Sequence, residues 1–283
     1  MKSPFPIFSL FPHLLGIAGT VLAAQVLFQP ANAAQSVPLP VVPFTASTVS
    51  EEEFVSPQGI AVDRHGNLYV TDTALQKVFK LTPDGKRTPV GSGFQVPQDV
   101  AIDSAGNVYV ADSQAGVIYK VAPSGPQSTV GSGFYMPMSV AVDAGGNVYA
   151  ADPWNVIVAK IAPDGTQTSL AGNFNSPVGV AVDAAGNVFV TDTYNSAVYR
   201  IALDGTQSTV ISSLVAPMYV ACDSSGRLFV TDVGTNSLVS VDPAGNSATV
   251  DGRLDVPMGL AVDPSGGLYV VDSFAQKVVE FRR

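Results

Sequence analysis

Six prolines, Pro57, Pro97, Pro137, Pro177, Pro217 and Pro257, stand 40 residues apart without a slip. A fixed period of this length confines a chain to a repeat architecture in which each copy is one supersecondary unit. Every copy opens alike, as in Pro177-Val-Gly-Val-Ala-Val-Asp-Ala-Ala-Gly-Asn-Val-Phe-Val-Thr-Asp192. No helical periodicity interrupts the copies.

Within one copy the local signals read as four short strands. The first is Val180 to Val182, followed by a tight turn from Asp183 to Asn187. Aspartate at the turn entry accepts backbone N–H bonds, and Gly186 supplies the positive φ such turns need. The second strand runs from Val188 to Val190 and ends at Asp192; the third, Ala197 to Ile201, alternates apolar and polar positions. A turn at Leu203-Asp204-Gly205 leads to a fourth strand around Ser208 to Ile211. Four strands in about 40 residues make one propeller blade. The expected fold is therefore all-β, a six-bladed β-propeller of four-stranded antiparallel blades. The last copy stops at Arg283 without a fourth strand. The segment 44–56 carries Ser47-Thr48-Val49, like Ser128-Thr129-Val130, and is expected to complete the last blade, with one extra residue in the Glu51-Glu52-Glu53 stretch. Such closure leaves no open seam.

Other repeated positions have constructive readings. Phe54, Phe94, Phe134, Phe174, Leu214 and Leu254 each precede a proline by three residues and are expected to pack between blades. Alanines at 61, 101, 141, 181, 221 and 261 suit the crowded innermost strands. Cys222, the only cysteine, occupies a position otherwise held by valine or isoleucine and reads as a buried, inert thiol.

Residues 1–33 differ from the rest. Lys2 precedes an apolar run from Leu14 to Phe28, and Ala31-Asn32-Ala33 fits a signal-peptidase site, so 1–33 is read as a signal peptide and 34–283 as the propeller. The run is short for a membrane span, which takes about 20 residues. Export to the periplasm or beyond is expected, with no membrane insertion after cleavage. Net charge is −9 with the 14 basic residues scattered, which disfavours nucleic acid as a partner. A monomer is expected.

The pattern Pro-x-x-[Val/Ile/Leu]-Ala-[Val/Ile/Cys]-Asp-x-x-Gly-[Asn/Arg/Gly]-[Val/Leu]-[Tyr/Phe]-[Val/Ala]-x-Asp resembles the NHL repeat over residues 57–283. The resemblance implies a wide repertoire: bacterial sensor domains, RNA-binding proteins, an amidating lyase, and related lactonase-type propellers. A zinc-bearing lyase of this kind relies on several histidines, as do streptogramin lyases. After residue 33 this chain has only His65, in an Asp63-Arg64-His65-Gly66 turn. Lactonase-type propellers hold a divalent cation on the axis with glutamate, asparagine and aspartate. The only glutamates here, Glu51, Glu52, Glu53 and Glu280, fall outside the innermost strands. The residue inventory thus favours binding or scaffolding over catalysis, without a cofactor. The alternative is a hydrolase or lyase of the wider propeller superfamily with a divalent ion, such as calcium, on the axis.

Asp72, Asp112, Asp152, Asp192, Asp232 and Asp272 each end a second strand. They could gather calcium on the axis, but their presence in all copies favours a role in building the blade, through N–H bonds from the following loop. Partner specificity is expected where copies differ. Two sets are expected to open on one face: residues after each proline, among them Gln98, Asp99 and Tyr219, and residues after each second-strand aspartate, among them Trp154, Asn155, Tyr194, Asn195 and Phe274. Aromatic and amide side chains there suit a protein, peptide or glycan partner.

Overall fold

The computed structural model describes residues 44–49 and 54–282. The expected leader 1–33 and Glu51–Glu53 lie outside the described residues. The described chain is all-β, arranged as six four-stranded antiparallel sheets.

Blade 1 shows the pattern after the N-terminal strand β1 (Thr45–Thr48). It contains β2 (Pro57–Val62), β3 (Leu68–Asp72), β4 (Lys77–Leu81) and β5 (Arg87–Val90), in that spatial order. Blades 2 to 5 repeat it over 97–131, 139–169, 177–211 and 217–251. The sixth sheet combines Pro257–Val262, Leu268–Asp272 and Lys277–Arg282 with β1, which pairs antiparallel with the last strand, Thr45 opposite Arg282 and Thr48 opposite Val279.

The innermost strands begin earlier than the apolar runs suggest. In five blades they start at the proline itself, which pairs across to the aspartate ending the second strand, as Pro57 does with Asp72. A register irregularity between Pro57 and Ile60 takes up the extra residue. Proline is tolerated there because it opens the strand and owes no ladder donor.

Second strands are buried at every residue, as in Val188–Asp192, because neighbouring blades cover both faces. Apolar residues therefore occupy both faces instead of alternating. One inter-blade cluster joins Ala101, Tyr109 and Ile118 of blade 2 to Val140, Val148 and Ala150 of blade 3, with Phe134 among them. Burying each large side chain of this kind contributes about 1.5–3 kcal/mol. Threonine hydroxyls stitch blades where apolar contact ends. Thr191 Oγ1 accepts from Gly179 N at 2.7 Å and donates to Met218 O of the next blade at 2.6 Å; Thr71 does the same between Gly59 N and Gln98 O. Each pair of bonds satisfies a buried amide and a buried carbonyl that a sheet edge would leave open.

Candidate functional site

One face of the ring carries the loops that precede each proline and those that follow each second-strand aspartate. The repeated aspartates pin these two loops together. Asp112 accepts from Gln95 N and Val96 N ahead of the proline, at 2.7 and 2.9 Å, and from Ala115 N beyond it at 3.2 Å. Asp192 accepts from Asn175 N and Ser176 N, both at 2.8 Å, and from Asn195 N at 3.3 Å. The carboxylates are therefore staples, and the segment before the proline is held as firmly as the loop after the aspartate.

The stapled loops present aromatic side chains. In blade 3, Tyr135 lies on Trp154 with ring centroids 5.2 Å apart and planes 8° from parallel. Tyr135 is 59% exposed and Phe274 60% exposed; Trp154 and Tyr194 are half-buried. Tyr135 stands two residues before its proline, outside both loop sets expected from the sequence. Its signal was available: the six equivalents are Val55, Gln95, Tyr135, Asn175, Val215 and Asp255, as varied as any set in the repeat. Asn155 and Asn195 are exposed, but their amides are committed to the blade, donating to Asp152 and Asp192 at 2.9 Å. Their identity is explained by the staple without a partner.

The residues after each proline require a correction. Gln98, Asp99 and Tyr219 were expected to open on the loop face, yet they are 1%, 6% and 3% exposed. Because the innermost strand starts at the proline, these residues lie within it and crowd the axis. Met138, Val178, Met218 and Met258, from four blades, pack with Tyr219 in one apolar cluster. The Tyr219 hydroxyl donates across the axis to Met138 O at 3.2 Å.

Asp99 is the charged member of this axial set. Its Oδ2 accepts from Ser139 Oγ at 2.7 Å and Val140 N at 3.0 Å. Burial pushes its carboxyl up to about 6 despite those bonds, which act in the opposite sense. Burial, and then the charge of Asp99, hold the Tyr219 hydroxyl well above its ordinary range. The positions equivalent to Asp99 are Gly59, Ser139, Gly179, Tyr219 and Gly259. Gly59 is required by proximity, since a Cβ there would stand 2.5 Å from the Asp99 Cα. One carboxylate among five neutral residues does not fit a calcium site, which needs six to eight oxygen ligands. Among the described residues no group of three His, Cys, Asp or Glu could hold a metal ion.

Two other candidates have simple environments. Cys222 is half-buried, its Sγ lies 3.5 Å from Val182 O, and burial pushes the thiol up to about 11, far from a reactive thiolate. His65 sits exposed in its turn, where its Nε2 accepts from Arg64 Nε at 3.2 Å.

Residues 174–198 match the NHL repeat family model. A gluconolactonase from Xanthomonas campestris superposes with a TM-score of 0.75 at 14% identity, covering 89% of this chain and 98% of the other. A streptogramin B lyase gives 0.68 at 13% identity over 84% and 97%. A nidogen/laminin complex gives 0.63 at 23% identity over 68% and 79%. At these identities the likeness is one of fold, which hosts both enzymes and binding proteins. The chain therefore carries an NHL-type repeat at 174–198, with five more copies in the same 40-residue register, and folds as a six-bladed β-propeller.

Proposed function

We propose that this propeller is an exported, non-catalytic binding or scaffold module that holds a protein, peptide or glycan against its loop face. The observation that carries the reading is the Tyr135–Trp154 stack, in which the exposed Tyr135 lies on the half-buried Trp154. Blade construction does not ask for either ring, since Gln95 and Gln114 fill both positions in blade 2. A flat aromatic surface already fixed by stacking loses little side-chain freedom on binding, which suits a recognition platform. Val55, Val215 and Phe274 add exposed apolar area on the same loops.

The test is capture from a native envelope extract and from a glycan array, comparing the wild type with a Tyr135→Ala/Trp154→Ala double variant. Loss of the captured partners at an unchanged melting temperature is the expected result. Retention of every partner by the variant would end the reading. Fractionation of the producing cells tests the export half, with the mature chain expected outside the cytoplasm.

A second reading, a hydrolase or lyase, is favoured by the likeness to gluconolactonase and streptogramin lyase structures. The axial residues do not fit the divalent ion that such chemistry would use in a lactonase-type propeller, and the axial mouth is filled by methionines and Tyr219. Lactone turnover by metal-supplemented protein that Asp99→Asn abolishes would favour this reading over the first.

A further inference from the structure

The face opposite the loops carries the tight turns, and there a cavity of about 560 Å³ opens between blades 1 and 2. That size falls within the roughly 300–1,000 Å³ typical of small-molecule sites. Its apolar lining includes Val62, Val90, Ile102 and Val121; its polar rim is formed by the turns at Asp63 and Asp103, with Arg64, His65 and Lys80.

The charges at this rim balance in number, but the hydrogen-bonding capacity does not. Asp63 accepts from His65 N and Asn67 N on one oxygen and from Asn67 Nδ2 and the Tyr69 hydroxyl on the other. Asp103 is filled in the same way by Ala105 N, Asn107 N, Asn107 Nδ2 and the Tyr109 hydroxyl. Burial would raise both carboxyls, yet these bonds hold them below the usual range, so both are ionised and spent. The donors are not spent. Arg64 uses only Nε, toward His65, and its terminal nitrogens have no partner among the described residues. The Lys80 ammonium lies 5.6 Å from the Tyr69 ring centroid, held there by the cross-strand pairing of the two residues, and keeps its N–H donors.

Arg64 and His65 are also peculiar to blade 1. The equivalent turn pairs are Ser104-Ala105, Ala144-Gly145, Ala184-Ala185, Ser224-Ser225 and Pro264-Ser265. The turn itself is the same: the aspartate accepts from the residues two and four positions on, and the glycine has positive φ, as at Gly66 and Gly106. Turn geometry therefore accounts for neither Arg64 nor His65, and both border the cavity.

We infer that the cleft between blades 1 and 2 is a binding site for a small organic carboxylate with an apolar ring or chain. The carboxylate takes the free donors of Arg64 and Lys80, and the apolar body lies along Val62, Val90, Ile102 and Val121. Charge-assisted bonds of this kind are about twice as strong as neutral ones, so the acid is preferred over its amide. The site is separate from the loop face.

The experiment titrates the protein with 3-phenylpropionate and octanoate, and with 3-phenylpropionamide as the neutral counterpart. NMR reads the His65 ring and the Gly66 and Gly106 amides. Saturable shifts with the acids are expected, with the amide at least tenfold weaker. A double variant, Arg64→Ser with His65→Ala, rewrites this turn as the blade 2 turn, so its fold is already built elsewhere in the chain. It is expected to melt with the wild type and to bind the acids at least tenfold more weakly, whereas Tyr135→Ala/Trp154→Ala binds them normally. Absence of saturable binding by either acid, equal binding of the amide, or undiminished binding by the turn variant would each overturn the inference.

Discussion

Two rings of residues run through all six blades, and they behave oppositely. The second strands end in six aspartates, every one nearly or fully buried and every one accepting backbone N–H bonds from the loop ahead of its proline. The axial ring, two residues after each proline, reads Gly59, Asp99, Ser139, Gly179, Tyr219 and Gly259. The first ring solves the same local problem six times, so selection for one residue type is purely constructive. The second ring meets itself on the axis, where six identical side chains could not all fit. Small residues and large ones are mixed there, and asymmetry is the packing solution. Variation between repeats is therefore evidence of function only where the position is not crowded by its own equivalents.

The sharpest way to break this contrast is to remove one staple. Asp192→Ala leaves the amides of Asn175, Ser176 and Asn195 without their acceptor, that of Ser176 buried and the other two part-buried. Leaving a buried donor unsatisfied costs about 1–3 kcal/mol. Loss of about 3–5 kcal/mol is expected by urea denaturation, with partial recovery in Asp192→Asn. A loss below about 1 kcal/mol would show that solvent serves these amides as well as the carboxylate does.

The axial ring is probed through Asp99. Its folded-state value is raised to about 6 from 3.8, so its ionisation opposes folding. The stability associated with the neutral carboxyl is complete below about pH 4 and is lost as pH rises through 6. A rise of that size corresponds to about 3 kcal/mol. Asp99→Asn is therefore expected to gain up to about 3 kcal/mol over the wild type at pH 8 and little at pH 4. Comparing the two proteins cancels the opposite trend of turn carboxylates held below their ordinary range, such as Asp143 and Asp263. A pH-independent difference would mean that Asp99 does not titrate in this window.

Tyr219→Phe has a smaller expected effect. It deletes the donor to Met138 O while keeping the ring that fills the axis. About 1 kcal/mol is expected to be lost, read as a shift in urea midpoint without a change in slope.

The blades were legible because their chemistry repeats. Proline, turn aspartate, glycine and second-strand aspartate recur at fixed spacing, and each has a local reason that needs no tertiary information. The axial residues were not legible in the same way. Whether Gln98 and Asp99 belong to a loop or a strand depends on Pro97 pairing with Asp112, a contact made across the sheet. Asn155 and Asn195 looked like free amides because the staple they join is formed by a side chain rather than by the backbone. Tyr135 was overlooked since the loop before the proline carries no turn signature; only the bond from its backbone N–H to Asp152, at 2.7 Å, ties it to the loop face.

A backbone demand can also repeat where the residue does not, which qualifies the contrast between the two rings. The fourth residue after each second-strand aspartate has positive φ in every blade: Gln76, Gly116, Val156, Ser196, Asn236 and Gln276, between 51° and 66°. Valine is the worst suited, because a β-branched side chain crowds the backbone in the left-handed region. Val156 is 43% exposed, so little burial offsets that strain. Val156→Asn introduces the residue that blade 5 already uses, and asparagine tolerates this conformation without the added unfolded-state freedom of glycine. A gain of about 0.5–1 kcal/mol is expected, seen as a higher urea midpoint with the slope unchanged. A loss would mean that the exposed valine contributes through contacts on the loop face, making it part of the aromatic platform beside Trp154 rather than a tolerated misfit.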